Sequence, residues 1–244
     1  MSREDEVTRR PDESLFGDSF GLVAAAHELK SPLALIRQLT YQLEDISLTD
    51  GERQRLLQQS RHTAERALRL TSDLTRASRL ESGLFELEPV NATAVCEDVV
   101  AELYDYFKAH GKQLKMTRRR RTPLLAIADQ QLLRRIIANF SDNALHYAGI
   151  SDRVDLSVTT SRDGRVRVAV RDYGPAMSRT DFSLLKERLS RPQPLQSRPQ
   201  SSGLGLVIAG QFASAMNSQI GIICHRDGAS FYVDMKASTQ LSLL

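Results

Sequence analysis

With 244 residues, 41% of them hydrophobic and 26% charged, the chain is long enough for one or two globular domains with real cores. A formal net charge of +3 permits an anionic ligand but is too small to imply nucleic acid as a partner. Two cysteines, Cys96 and Cys224, form no CxxC pair and no zinc spacing, so reduced core thiols are expected.

The opening MSREDEVTRRPDES is charged and lacks the apolar segment of a signal peptide. No apolar run approaches the roughly 18 residues that a bilayer span needs, so a soluble cytoplasmic protein is expected. From Phe20 to about Leu80 the pattern is helical. Leu22, Leu29, Ile36 and Leu43 recur every seven residues, and Ala25, Leu39 and Ile46 stand three residues later, with Pro32 the exception. That is a heptad seam. The segment SLTDGERQ breaks it, with Asp50-Gly51 as a turn signal. A second amphipathic run carries Leu57, Ala64, Ala67, Leu70, Leu74 and Ala77 on one side. Two such helices cannot bury both apolar faces alone, so the hairpin predicts a homodimeric four-helix bundle.

After RLESGLFELEPVNA the chain mixes helices and strands. Gly83 can end the second helix, LFELEPV alternates as a strand, and Asn91 or Thr93 can cap a helix to about His110. LKMTRRR and LLAIAD read as strands, and Asp129 caps the helix DQQLLRRIIANFSDNALHYA. The strands RVDLSVTTS and RVRVAVRD meet at Asp163-Gly164, and a last hairpin turns at Asp227-Gly228. Between them lie a proline-rich loop, RPQPLQSRPQSS, and the helix GLGLVIAGQFASAMN. The order predicts an α+β two-layer sandwich with helices on one face of a mixed sheet.

Four polar constellations stand out. His27 falls at position f of the heptad, away from the seam, with Glu28 about 100° round the helix and Pro32 removing the amide that would bond to the Glu28 carbonyl. A carboxylate against one ring nitrogen fixes the tautomer and makes the other more nucleophilic. Asn139 and Asn143 share one helix face and offer neutral oxygens, which suit a cation already bound to phosphates. Asp172 ends a strand and can accept from an exocyclic amine, with Gly174 close by. Gly203 and Gly205 flank Leu204 at a helix start, where bare amides suit phosphate oxygens. Taken singly, each also reads as a surface histidine, capping amides, a strand-closing turn and an ordinary helix start.

Taken in order, HELKSPL, NFSDNALHYA, DYGPA and SGLGLVIA resemble the H-box, N-box and two glycine boxes of the sensor histidine kinases of bacterial two-component systems. The resemblance runs from Gly21 to Lys236. It implies a polar segment over 1–19, a dimerisation and histidine-phosphotransfer hairpin over 20–82, a hinge over 83–88 and a GHKL-type ATP-binding domain over 89–244. On that likeness His27 attacks the γ-phosphorus of ATP, and Glu28 orients the imidazole and accepts its proton. Asn143 with Asn139 holds Mg²⁺, His146 and Tyr147 complete the N-box, Asp172 reads adenine, and Gly203, Leu204 and Gly205 line the phosphates beneath a lid. The phosphoryl group then passes to an aspartate of a response regulator receiver domain. Ser31 stands where relatives that also dephosphorylate the regulator carry Thr or Asn.

Three departures bear on activity. Ala176 replaces a glycine of the first glycine box, His146 replaces a basic residue of the N-box, and the lid lacks an aromatic-rich approach. These leave a second reading, a degenerate kinase acting as a phosphotransfer scaffold or phosphatase. No sensor is evident in the residues before the hairpin, so the expectation is that either a separate sensor protein supplies the signal or the chain is a piece of a longer polypeptide.

Overall fold

Apolar spacing decides the first half of the molecule. The computed structural model describes residues 19–79, 85–117, 124–149, 153–176 and 204–239. Helix α1, Ser19–Leu43, runs through Pro32. Between Lys30 and Gln42 only Pro32, Ile36 and Leu39 are buried or half-buried, and these are the a and d positions of the heptad. Two expectations near the hairpin turn are corrected. Ile46 does not extend the seam; it is 95% exposed, beyond the helix end. The Asp45 carboxylate accepts from the Ser47 amide (2.8 Å) and hydroxyl (2.7 Å), while Arg53 donates to the carbonyl of Leu43 (3.0 Å), so the chain turns there. Asp50-Gly51 is not the turn but the first step of α2, Asp50–Arg79. Thr49 and Glu52 form a capping box, with the Thr49 amide 2.9 Å from the Glu52 carboxylate and the Glu52 amide 3.3 Å from the Thr49 hydroxyl.

The second half is two sheets under three helices. Strand β1, Glu88–Asn91, pairs antiparallel with β3, Leu125–Ala128, in a ribbon separate from the main sheet. The strand expected from Leu84 therefore starts only at Glu88. Asn91 is the N-cap of α3, Ala92–Ala109, and Asp129 of α4, Gln130–Tyr147, as capping propensity predicts. The main sheet comprises β2 (Gln113–Thr117), β4 (Arg153–Thr160), β5 (Val166–Asp172), β6 (Gln219–His225) and β7 (Gly228–Met235). Its order is β2-β4-β5-β7-β6, with β2–β4 parallel and the other pairs antiparallel. Helix α5, Leu204–Ala215, packs beside α4. Ile136, Ile137 and Phe140 of α4, Phe212 of α5 and Phe231 of β7 are almost fully buried between the layers. The Phe140 and Phe231 rings lie 5.9 Å apart. Cys96 is a free core thiol as expected, but Cys224 is only half-buried. No helix among the described residues is long and apolar enough to cross a membrane.

The hairpin and the sandwich meet along α2. Leu70 and Leu74 join the apolar core, and Arg135 of α4 pairs with buried Asp73 at 3.2 Å. Nearer the hairpin turn, buried His62 stands edge-on to Tyr106 (5.4 Å) and lies 6.0 Å from His110. The Asp142 carboxyl of α4 is pushed up by burial, against the opposing pull of Arg69, Arg66 and His110. Removing a ring from the core tests the layer packing. Phe231→Ala should cost about 3–5 kcal/mol in chemical denaturation; a loss below about 1 kcal/mol would contradict it.

Candidate active site

Helix α4 carries the first part of the site. Asn139 and Asn143 stand one turn apart, and the side-chain amide nitrogen of each is buried without a hydrogen-bond partner among the described residues. Two unpaired buried donors on one face are costly unless a ligand oxygen meets them. Gly205, near the start of α5, faces the same place: a Cβ there would lie 3.5 Å from the side-chain oxygen of Asn139. The Asn139 side chain therefore borders a helix N-terminus, whose amides are donors suited to phosphate oxygens.

Asp172 closes the other side. It ends β5, is 2% exposed, and its Oδ1 accepts from the amides of Gly174 (3.1 Å) and Ala229 (3.2 Å). Burial pushes its carboxyl up, and those two amides act against the shift. Gly174 has a structural use: a side chain there would overlap the carbonyl oxygen of Tyr147 at the end of α4. Gly149, at φ 57°, brings the next turn against Pro175. The end of α4 and the Asp172 loop thus fit together only because residue 174 is bare.

The structure brings together Asn139, Asn143, Tyr147, Asp172, Gly174 and Gly205 around the end of α4 and the start of α5. Gly203, the lid and the side chains of His146 and Leu204 lie outside the described residues. So do the side chains of His27 and Glu28, although both positions belong to α1. His27 shares its heptad position with Ala34 and Tyr41, which are exposed, and Ser31 is exposed as well. Sequence reasoning missed Gly228 and Ala229, which reach Asp172 through the pairing of β7 with β5. Their only sequence signal was the turn itself. Cys224 also lies near this carboxylate; burial and then the Asp172 charge push its thiol up.

The residues fit a magnesium–nucleotide complex. Among the described residues no group of three or more His, Cys, Asp or Glu could hold a metal by itself. The neutral amides of Asn139 and Asn143 are instead suited to a cation that arrives with phosphate oxygens.

Residues 22–83 match the His Kinase A (phospho-acceptor) domain family, and residues 128–239 match the family of histidine kinase-, DNA gyrase B- and HSP90-like ATPases. The chain is 29% identical over 224 residues to the sensor protein GacS of Pseudomonas syringae pv. syringae, covering 88% of this chain and 24% of that one. It is 28% identical over 242 residues to the swarming motility regulation sensor protein RssA of Serratia marcescens, covering 98% and 49%. The crystal structure of full-length ShkA in complex with AMPPNP has the same fold, with a TM-score of 0.59 at 22% identity over 92% of this chain and 47% of that one. The chain therefore spans about a quarter of GacS and about half of RssA.

A substitution at residue 174 tests the geometry. Gly174→Ala should destabilise the fold by about 1–3 kcal/mol in urea denaturation, because the Tyr147 carbonyl must move. Unchanged stability would show that the loop does not sit beneath α4.

Proposed function

This chain belongs to the sensor histidine kinases of two-component systems, and from that premise we propose that it phosphorylates its own His27 from ATP and passes the phosphoryl group to an aspartate of a response regulator. The unpaired amides of Asn139 and Asn143 beside Gly205 carry this reading, because they leave donors waiting where phosphates would lie. ShkA, which shares this fold, was solved in complex with AMPPNP, and that supports a nucleotide as the ligand.

In the proposed reaction Asp172 accepts the exocyclic amine of adenine, and the amides at the start of α5 receive phosphate oxygens. The side-chain oxygens of Asn139 and Asn143 would hold Mg²⁺, which when bound would draw charge from the phosphates. Glu28 orients the His27 ring and takes its proton. A nitrogen–phosphorus bond forms at His27 while the bond from the γ-phosphorus to the bridging oxygen breaks, and ADP leaves with that electron pair. The exposure of Ser31, four residues after His27, is compatible with a second task, holding a water that dephosphorylates the regulator.

The functional unit proposed is a homodimer joined through residues 20–82, with 83–88 as hinge and 89–244 as the ATP-binding domain. Leu33, Leu57 and Leu68 are 58%, 52% and 68% exposed in the single chain, which supports a partner hairpin covering them. A cytoplasmic reaction follows from the need for ATP and a receiver domain.

Labelling with γ-phosphorus-labelled ATP and Mg²⁺ tests the reading. The wild type should acquire acid-labile, alkali-stable label. His27→Ala should acquire none, and Asn143→Ala should lose at least about tenfold in rate. Label that survives acid, or persists in His27→Ala, would overturn the assignment. Nucleotide binding without any label would favour a phosphotransfer scaffold.

A further inference from the structure

Asp172 is held by a segment that no nucleotide motif includes. Gly228 opens β7 at φ 119°, and a Cβ there would stand 2.6 Å from Oδ1 of Asp172 and overlap its carbonyl oxygen. The β6–β7 turn therefore lies directly against the carboxylate. Its next amide, Ala229, donates to Oδ1 at 3.2 Å. The turn is tied on two sides. Arg171 pairs with Asp227 at 2.7 Å, and His225 shares a hydrogen bond with Ser230 at 2.9 Å.

From this geometry we propose that the β6–β7 turn is a positioning element for base recognition, with Gly228 and Ala229 keeping the Asp172 carboxylate ionised and oriented toward an exocyclic amine. The inference rests on the reading of Asp172 as the group that meets the base. Two amides converge on Oδ1, so the second oxygen is the one available to the amine. A buried carboxylate without such donors takes up a proton and turns from acceptor into donor. The Ala229 amide favours the ionised form, so losing it raises the carboxyl further. Nucleotide binding is present above that carboxyl's titration and is lost as pH falls through it. Weakening the turn therefore moves the acid limb of binding to higher pH.

Other charges face the group. Arg171 stands on β5, His225 and Cys224 on β6, and Asp227 in the turn. Burial followed by Arg171 pushes the His225 imidazole down, toward the acid range of the test. It is therefore replaced by Gln in a control.

The test is the dissociation constant of Mg²⁺-ADP for the full chain, measured by calorimetry across the acid range. Gly228→Ala should weaken binding by about tenfold near neutrality, the loss of one hydrogen bond to a charged group. Its acid limb should move up by about one pH unit. Ser230→Ala, which removes the tie to His225 and changes no charge, should move the limb the same way by less. His225→Gln, which keeps a side-chain amide for the bond to Ser230, should leave the limb in place. Three results would overturn the proposal. One is an unmoved limb in Gly228→Ala, and another is a limb that moves with His225→Gln. The third, which decides the matter if Gly228→Ala does not fold, is an unmoved limb in Ser230→Ala. A wild type that binds no ADP at any pH would overturn the base-reading role of Asp172 itself, and the inference with it.

Discussion

The site depends on a carboxylate that must stay an acceptor while buried. Asp172 is 2% exposed, and burial favours its neutral form. Backbone amides are the remedy, and they come from two separate places: Gly174 just after β5, and Ala229 at the start of β7. Each supply line needs a bare residue. Gly174 passes beneath the Tyr147 carbonyl, and Gly228 lies against Asp172. One side chain therefore fixes how the end of α4, the end of β5 and the β6–β7 turn close together.

The rest of the site hangs on α4. The helix buries Ile136, Ile137 and Phe140 on the sheet side, which leaves Asn139 beside Gly205 and Asn143 one turn further along the same face. The same helix touches the hairpin, through Arg135 on Asp73 and through Asp142 opposite Arg69 and Arg66. Asp142 immediately precedes Asn143, so the asparagine proposed to hold the metal neighbours the interface between hairpin and ATPase domain. Charged groups at that boundary are more sensitive to relative movement than apolar packing is, because the cost of a lost partner falls on a buried charge.

Local signals were readable wherever one short segment contained the whole cause. The heptad of α1 predicted which residues face inward between Lys30 and Gln42. Asn91 and Asp129 were legible as caps, and the Asp163-Gly164 and Asp227-Gly228 turns as hairpins. The hairpin turn of α1 and α2 was misplaced because Asp50-Gly51 has turn composition. Thr49 and Glu52, which cap the helix, were the stronger signal. Ile46 kept the seven-residue spacing after the helix had ended. Contacts distant in sequence were not legible. The bond from Ala229 to Asp172 spans 57 residues and depends on which strand lies beside β5. The packing of His62 on Tyr106 depends on how two domains meet.

The base discrimination proposed for Asp172 would join fold to activity, and calorimetric titration of Mg²⁺-ADP against Mg²⁺-GDP measures it directly. An ionised acceptor meets the amine of adenine but opposes the carbonyl oxygen of guanine. The wild type should therefore prefer ADP by about a hundredfold or more, and Asp172→Asn should lose most of that preference. Equal affinity of the wild type for the two nucleotides, or an unchanged preference in Asp172→Asn, would contradict the account.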